Sequence, residues 1–458
     1  MNKWALRSGG RRPSRRDVVK AGAGIAAGVV GSGIVGMAGG SARQASPVAG
    51  AGDPVAMTGQ ALPAAAALDQ TVADIMARWD LPGGQLAVAS EGRLVFDRGY
   101  GVADLATGEP VQPSSLFRIA SVSKTLTAVA ILILVDDGLL ALDDRAFRLL
   151  SDLAPAANAP IDPRLDEITI EQLLVHAGGW DSGAAGDPQY PPLTWNIAGV
   201  LGVEHPPAAE VIVRGMLSVP LDFDPGTRSV YSNFGFNVLG RVIERVSGQG
   251  YEAFVRERVL APAGVTAPRI GRTRLADRAP GEVRYQAPPG FPLVPSVFPG
   301  EGYVEPAYGS FFMEGLDAHG GWIASAADLV RFATAVDGQR APALLRPETV
   351  ALMLETPRPP AGGTGAGNAP SGAGLGWNAV ARDGGVEWSH AGALEGSNAS
   401  WLARTPDGLT IAFVFSSLPL DYGAFFGDAI PAIQAAIQTV GPAWTTAPDL
   451  ERAATPVP

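Results

Sequence analysis

An apolar run in the first third of the chain sets the strongest limit on the fold. Residues 125–135 are apolar almost all round a helix, a pattern that predicts a helix buried at the centre of the protein. The run is too short to span a membrane, and Gly138 provides a natural end. Other helices and strands must therefore surround this segment.

The start of this helix carries two residues whose chemistry belongs together. Ser121 and Lys124 are three residues apart, so a helix places their side chains within reach of each other. Lys124 is the only lysine beyond residue 20, and a desolvated lysine, unlike an arginine, can lose its proton and act as a base. A serine becomes a nucleophile when such a base accepts its proton. The spacing alone is weak evidence, because it arises by chance about one time in fifteen.

The composition removes several classes of function. The 458 residues include no cysteine, which excludes disulfides, thiolate nucleophiles and cysteine-ligated metals. Residues 1–45 hold eight basic residues and one acid, which leaves 26 basic and 44 acidic residues, a net charge of −18, for the rest. Such an acidic body repels nucleic acid and anionic lipid. We therefore expect no nucleic-acid partner.

Residues 1–45 resemble a twin-arginine export signal. The paired arginines Arg15 and Arg16 precede a weakly apolar, glycine-rich run at 21–40, which is the order that such signals use. We expect export to the periplasm or the extracellular space, with membrane contact only through this signal, either cleaved or retained as an anchor. Residues 46–67 are rich in Ala, Pro and Gly and predict a linker.

Strand patterns lie at both ends of the folded part, residues 68–440. Residues 85–90 and 93–100 predict an antiparallel hairpin, and further strands are expected near the other end at 386–390, 399–404 and 409–416. Helical patterns fill the middle and return at 424–439. We predict an α+β fold, in which an antiparallel sheet flanked by helices is built from both chain ends. An all-α subdomain is inserted at about residues 140–320, and residues 441–458 form a tail.

Two long stretches without periodicity interrupt the helical middle, at residues 183–207 and 278–312. Both contain aromatic residues. Loops of this length in a compact domain are commonly functional, so these either wall a pocket or form surface cover.

Three motifs occur in the order and approximate spacing of a known family. They are Ser121-Val122-Ser123-Lys124, Tyr231-Ser232-Asn233 and His390-Ala391-Gly392. The chain resembles the serine beta-lactamase and penicillin-binding family, most closely its branch of class C beta-lactamases, D-Ala-D-Ala carboxypeptidases and esterases. The resemblance covers roughly residues 70–440. It implies a beta-lactamase/transpeptidase-like fold and a serine hydrolase that needs no cofactor.

The resemblance implies roles for the first two motifs. Ser121 would attack a carbonyl carbon and become acylated, while Lys124 or Tyr231 serves as the base in each step. Asn233 would orient Lys124 and bind a substrate amide.

The third motif would form a strand against which the substrate lies. His390 stands where family beta-lactamases usually have lysine, and its titration near pH ~6.5 would make activity depend on acidity there. Gly392 would let the substrate approach, and the backbone N–H groups of Ser121 and Ala393 would form the oxyanion hole. Ala391 replaces a hydroxyl residue that grips the substrate carboxylate in lactamases and carboxypeptidases of the family. This departure favours an ester or amide substrate, although an arginine from residues 278–312 could compensate.

The other histidines receive plainer interpretations. We expect His176 and His319 to be structural, and His205 carries no signal. Four scattered histidines lack metal-ligand spacing, so no metal site is expected.

The sequence thus predicts an exported serine hydrolase that forms an acyl-enzyme on Ser121 and acts on a small-molecule ester, amide or peptide. Two alternatives remain. One is a beta-lactamase or D-Ala-D-Ala carboxypeptidase. The other is a non-catalytic sensor or scaffold that resembles a penicillin-binding protein.

Overall fold

The computed structural model describes residues 55–362 and 374–453. The predicted export signal at residues 1–45 lies outside these ranges. Within the described residues, no helix is both long enough and apolar enough to cross a membrane.

The main sheet joins the two ends of the chain, as predicted. Its strands pair antiparallel throughout in the order β1-β3-β2-β13-β12-β11-β10, and β4 adds to β3. The central pairing of β2 with β13 sets Ala87 opposite Ala412. Smaller sheets are formed by β5-β9-β6 and by β7-β8. The strands are β1 Met57–Thr58, β2 Gly83–Ser90, β3 Arg93–Asp104, β4 Glu109–Pro110, β5 Phe117–Arg118, β6 Arg269–Ile270, β7 Val294–Pro295, β8 Tyr303–Val304, β9 Trp322–Ala324, β10 Asn378–Arg382, β11 Gly385–Leu394, β12 Asn398–Arg404 and β13 Leu409–Phe415.

Two strands differ from their predicted extent. Strand β1 lies within residues 46–67, which the composition indicated as a linker, and it pairs Met57 with Tyr100 at the sheet edge. Strand β11 runs beyond residue 390 to Leu394. Its last residues, alanine and glycine among them, have weak strand propensity, but pairing with β12 as far as Leu394 opposite Asn398 holds them extended.

Helices cover both faces of the main sheet and fill much of residues 140–320, a range predicted to be all-α that also contains the short strands β6, β7 and β8. They are α1 Ala66–Arg78, α2 Ser123–Asp136, α3 Ala146–Leu149, α4 Ile170–Leu174, α5 Ser182–Ala185, α6 Leu193–Leu201, α7 Ala209–Met216, α8 Asn233–Ser247, α9 Tyr251–Phe254, α10 Ala326–Val336, α11 Pro347–Glu355, α12 Tyr422–Val440, α13 Ala443–Thr446 and α14 Leu450–Ala453. Helix α2 is the predicted central helix, with every residue from 123 to 134 buried. Gly138 follows it at φ +71°, in the left-handed region that ends helices.

The two unperiodic stretches fold differently from each other. Residues 183–207 were expected to be irregular, but they contain α6, whose Ile197 and Ala198 are buried. Contacts with the neighbouring helix α7 bury one side of α6 and stabilise it. The proline-rich local sequence does not indicate these contacts. Residues 278–312 stay largely irregular, apart from the short β7-β8 pair and a single helical turn at Pro306–Tyr308.

Alternation along the strands divides the core into two layers. One layer packs on helices α1 and α12 and includes Trp401 and Phe413. The other surrounds α2 and includes Trp388 and Leu402. In β11, successive side chains therefore face opposite layers, so His390 and Gly392 share the α2 side with Trp388, and Ala391 lies on the α12 side.

Candidate active site

Ser121 sits on a sharp turn between β5 and α2. Residues Ala120–Val122 form one turn of 3₁₀ helix, and Ala120 has a φ of +46°. The left-handed conformation costs a residue with a side chain about 1–2 kcal/mol. The surroundings must hold this strained turn, which lifts Ser121 to the edge of a cleft.

Hydrogen bonds from β12 hold the segment that leads into the turn. The Asn398 amide donates to Arg118 O at 2.6 Å, and the Ser400 hydroxyl donates to Ile119 O at 2.7 Å. These two carbonyls are thereby fixed just before Ala120, so the sheet itself positions the nucleophile.

The buried Arg118 side chain adds a second anchor. Its guanidinium donates to Ala307 O at 2.5 Å and lies 4.4 Å from the centre of the Tyr285 ring. The carboxylate of Glu282 is 3.9 Å away. All three partners come from residues 278–312, so this stretch braces the Ser121 turn in addition to lining the cleft.

Lys124 is completely buried and makes three polar contacts. Its Nζ lies 2.7 Å from Asn233 Oδ1, 2.8 Å from His319 O and 3.2 Å from Ser121 Oγ. Burial lowers the pKa of Lys124 well below its usual value, against a smaller opposing effect of Asp187. A neutral amine has two N–H groups and one lone pair. The two acceptors use the two N–H groups, which leaves the lone pair for the Ser121 hydroxyl.

Tyr231 approaches Ser121 from the other side. Its hydroxyl donates to Ser121 Oγ at 2.7 Å, and burial raises the phenol's pKa well above its usual value. The His176 ring packs against Tyr231 with 4.6 Å between ring centres, and its Nδ1 accepts a hydrogen bond from Ser232 N at 3.2 Å. His176 therefore holds the Tyr231 ring and the adjoining backbone in place.

Asn233, the first residue of α8, connects Lys124 to a residue that the sequence did not single out. Its amide nitrogen donates to Asp187 Oδ2 at 2.7 Å, which orients the amide oxygen towards Lys124. Asp187 lies in the 183–207 stretch, where nothing in the local sequence marks it. Burial raises the pKa of this carboxyl group.

His390 does not fulfil the expected titration near neutral pH. Burial, and then the charge of Lys124, lower its pKa to about 3. Its Nδ1 lies 2.6 Å from Ala391 O, and a carbonyl can only accept, so the neutral ring donates there and its Nε2 is left as an acceptor. The ring is therefore a neutral polar group of the cleft.

Gly392 makes the closest approach of β11 to the nucleophile. A Cβ added there would lie 2.4 Å from Ile119 O and 3.1 Å from Ser121 N, so only glycine fits. Ala393, the expected oxyanion-hole residue, is next in the strand and lines the same cleft as Ser121.

The cleft has a volume of about 950 Å³ and follows the edge of β11. Apolar side chains line the end near Leu394, among them Tyr190, Phe291, Phe311 and Leu316. Both unperiodic stretches thus contribute to its wall, which decides between the two interpretations given above. The opposite end is polar and contains Arg358, Asn378 and Ser389.

Ala391 lies beside an apolar part of the cleft. It is opposite Trp401 in the β11-β12 register and packs on the same core layer as Tyr422, Phe426 and Ile430, which also line the cleft. No arginine of residues 278–312 takes the place of the missing hydroxyl, which was the possibility that the sequence left open. The side chains of Arg278 and Arg284 are directed to Asp104. The arginine that lines the cleft is Arg358. It reaches the cleft because its chain segment runs beside the segment that leads to Tyr231.

Comparison with known proteins agrees with this geometry. A family model described as beta-lactamase matches residues 68–429. The chain belongs to the beta-lactamase family.

Two relatives similar to this chain carry esterase names. Esterase EstB of Burkholderia gladioli is 34% identical over 218 residues, which cover 46% of this chain and 53% of the relative. The lovastatin esterase of Penicillium rubens is 30% identical over 214 residues, with coverage of 43% and 52%. The chain therefore spans about half the length of these relatives.

Solved structures of similar fold include two further hydrolases. The D-amino acid amidase from Ochrobactrum anthropi SV3 has a TM-score of 0.60 at 22% identity, covering 81% of this chain and 97% of that chain. The D-alanine carboxypeptidase AmpC from Burkholderia cenocepacia has a TM-score of 0.57 at 20% identity, covering 81% and 98%. These likenesses confirm the predicted fold class of the beta-lactamase family.

Proposed function

We propose that the protein is a serine hydrolase that cleaves an ester bond, or alternatively an amide bond, through an acyl-enzyme on Ser121. One observation carries the proposal. The Ser121 oxygen lies between the Tyr231 hydroxyl at 2.7 Å and the Lys124 amine at 3.2 Å, at the wall of an open cleft.

Acylation follows from the protonation states that burial favours. Lys124, kept neutral, accepts the Ser121 proton as Oγ attacks the substrate carbonyl carbon. The negative charge on the carbonyl oxygen is stabilised by the N–H groups of Ser121 and Ala393. Tyr231, protonated until this point, passes its proton to the leaving alcohol and remains a phenolate, stabilised by the Lys124 ammonium, whose Nζ lies 4.8 Å from the ring centre.

Deacylation reverses these transfers with water in place of the alcohol. Water gives its proton to the Tyr231 phenolate and attacks the acyl carbon, and the bond to Ser121 Oγ breaks. Ser121 Oγ takes the proton held by Lys124, and the free acid leaves. No step requires a cofactor.

The surroundings of Ala391 support an ester substrate over a beta-lactam or a D-Ala-D-Ala peptide. No hydroxyl is available at this position to bind a carboxylate, and Trp401 and Phe426 make the adjoining surface apolar. The apolar end of the cleft suits a bulky acyl group. The esterase names of the two relatives agree with this preference.

A substrate panel tests the proposal. Hydrolysis of p-nitrophenyl butyrate, a cephalosporin and a D-alanyl-D-alanine peptide should be measured for the wild type and for Ser121→Ala. We expect ester hydrolysis that is lost in the variant. A protein that hydrolyses none of the three would instead be the sensor or scaffold, and faster turnover of the cephalosporin or the peptide would select the other enzymatic alternative.

We further propose that residues 1–45 direct export through the twin-arginine pathway. The support is the order of paired arginines and apolar run in the sequence. Replacing Arg15 and Arg16 with lysine should retain the protein in the cytoplasm of an expressing bacterium. Equal amounts of wild type and variant in the exported fraction would contradict this.

A further inference from the structure

An apolar stripe of helix α12 faces the cleft beside strand β11. Tyr422, Phe426 and Ile430 line the cleft, and their spacing of four residues places them on one side of the helix. All three are half-buried, whereas Phe425 and Ala429 on the adjoining side are completely buried in the core. The protein therefore covers the stripe only in part.

Strand β11 leaves this stripe accessible because its residues on the α12 side are small. Ala391 and Ala393 both face that side. Trp401, opposite Ala391 in β12, also lines the cleft. Strand β10 begins at Asn378, opposite Ser389, so its pairing with β11 stops short of Ala391. The two alanines thus leave an apolar hollow beside Trp401 and the α12 stripe, open to the cleft.

The oxyanion hole indicates which part of an ester reaches this hollow. The N–H group of Ala393 would hold the carbonyl oxygen, which places the reacting carbon at this point of β11. Along the strand, Leu394 and the apolar end of the cleft lie on one side of that point, and Ala391 lies on the other. The acyl and alcohol portions of an ester extend in opposite directions from the carbonyl carbon. Because the acyl group takes the end near Leu394, the alcohol lies towards Ala391.

The position of Tyr231 agrees with this direction. The segment that leads to Tyr231 pairs with the segment of Arg358, and Arg358 lines the same end of the cleft as Ser389. Ser389 lies two residues before Ala391 in β11. The group that protonates the leaving alcohol is therefore placed on the Ala391 side of the reacting carbon.

We propose that Ala391, Trp401 and the α12 stripe of Tyr422, Phe426 and Ile430 form a subsite for the alcohol portion of the substrate. This rests on the proposed acyl-enzyme reaction and narrows its substrate class to esters of bulky, apolar alcohols. An apolar ring in the hollow would remove its own surface and that of the stripe from water. In such a pocket, a change of one carbon alters kcat/KM by about 10-fold or more.

Four esters of primary alcohols test the subsite. Ethyl butyrate is the reference, and cyclohexylmethyl butyrate enlarges its alcohol by an apolar ring. Tetrahydropyranylmethyl butyrate has the same shape but replaces one ring CH₂ with oxygen. Ethyl cyclohexylacetate carries the ring on the acyl side instead. We expect the wild type to hydrolyse cyclohexylmethyl butyrate with a kcat/KM about 10-fold or more above that of ethyl butyrate and of the oxygen analogue.

Shortening one residue of the stripe should remove this preference. Ile430→Ala should lower the ratio of kcat/KM for cyclohexylmethyl butyrate to that for ethyl butyrate by about 10-fold, and Tyr422→Ala should act in the same direction. The same ratio for ethyl cyclohexylacetate should stay within about threefold of the wild type. The matched control is Leu352→Ala, which shortens a 43% exposed aliphatic residue of helix α11 and should keep both wild-type ratios.

The ratios also separate the possible failures. A wild type without the preference would overturn the subsite, as would stripe variants that keep the preference or that slow all four esters equally. If Ile430→Ala instead lowered the ratio for ethyl cyclohexylacetate alone, the hollow would hold the acyl group and the assignment to the alcohol would be wrong. Any of these results, obtained while esters are still hydrolysed, leaves the proposed function standing.

Binding without turnover tests the subsite apart from the reaction. Ligand-observed NMR titrations would compare cyclohexylmethyl butyrate with ethyl butyrate on Ser121→Ala, with and without Ile430→Ala. Tighter binding of the cyclohexylmethyl ester that depends on Ile430 would support the subsite even if the wild type hydrolysed no ester. That combination would overturn the proposed function alone.

Discussion

Replacing Gly392 with alanine should separate β11 from the nucleophile. The new Cβ would lie 2.3 Å from Ser400 Oγ and 2.4 Å from Ile119 O. The Ser400 hydroxyl can rotate, but it would then lose its bond to Ile119 O. The Ile119 carbonyl belongs to the backbone, two residues before Ser121, and cannot move without displacing the nucleophile.

The size of the effect follows from this distance. Ordinary van der Waals contact begins at 3.4 Å, so the strand and the Ser121 turn must separate by about 1 Å. A displacement of that size costs catalysis about 100-fold, and loss of one oxyanion donor costs about 100-fold to 1,000-fold. We therefore expect kcat/KM for p-nitrophenyl butyrate to fall by at least about 100-fold, with a loss of about 1–3 kcal/mol in the free energy of unfolding.

A second glycine provides the control. Gly427, in helix α12, has nothing within 4 Å of an added Cβ, so Gly427→Ala should keep full activity and gain up to about 1 kcal/mol of stability. The assay is steady-state hydrolysis combined with thermal unfolding of both variants. A folded Gly392→Ala protein that retains activity within about threefold of the wild type would refute the close approach of β11 to Ser121.

Three further outcomes follow from the site. The kcat/KM for ester hydrolysis should fall as pH drops through the lowered pKa of Lys124, because a base must be neutral to accept a proton. His390 stays neutral in that pH range, so His390→Gln should leave the pH at which activity falls unchanged. A shift of that pH in the variant would contradict the assignment of the base to Lys124. Removing the Asp187 charge in Asp187→Asn should lower the pKa of Lys124 further and move the fall in activity to lower pH, and a pH–rate profile that shifts the other way would contradict it. Tyr231→Phe should lower kcat by about 100-fold to 10,000-fold. Measured with butyrate esters of increasingly basic alcohols, the loss should grow with the basicity of the alcohol. A uniform loss would indicate that Tyr231 does not protonate the leaving group.

Much of the fold was predictable because its signals are local. The apolar run of α2 and the alternating strands carry their own patterns. Strand β11 was predicted too short because the residues around Gly392 are held extended by β12 and by the approach to Ser121, which are contacts between distant parts of the chain. Helix α6 was missed for a similar reason, since packing on α7 supports it.

The site shows the same division. Ser121 and Lys124 have a helical spacing that the sequence displays directly. Asp187 is linked to Lys124 by hydrogen bonds through Asn233. It lies in residues 183–207, and no sequence pattern predicts how that stretch folds. The low pKa of His390 depends mainly on burial, which an isolated motif does not reveal. Arg358 was not anticipated because its segment reaches the cleft by pairing with the residues before Tyr231, which are distant in sequence.

Trapping the acylated protein tests the central claim most directly. The wild type and Ser121→Ala should be mixed with p-nitrophenyl butyrate, quenched in acid during steady-state turnover, digested and analysed by mass spectrometry. We predict that the wild-type peptide containing Ser121 gains the mass of one butyryl group, and that the variant acquires none. Turnover without any acyl group on Ser121, or with the acyl group on another residue, would contradict the account.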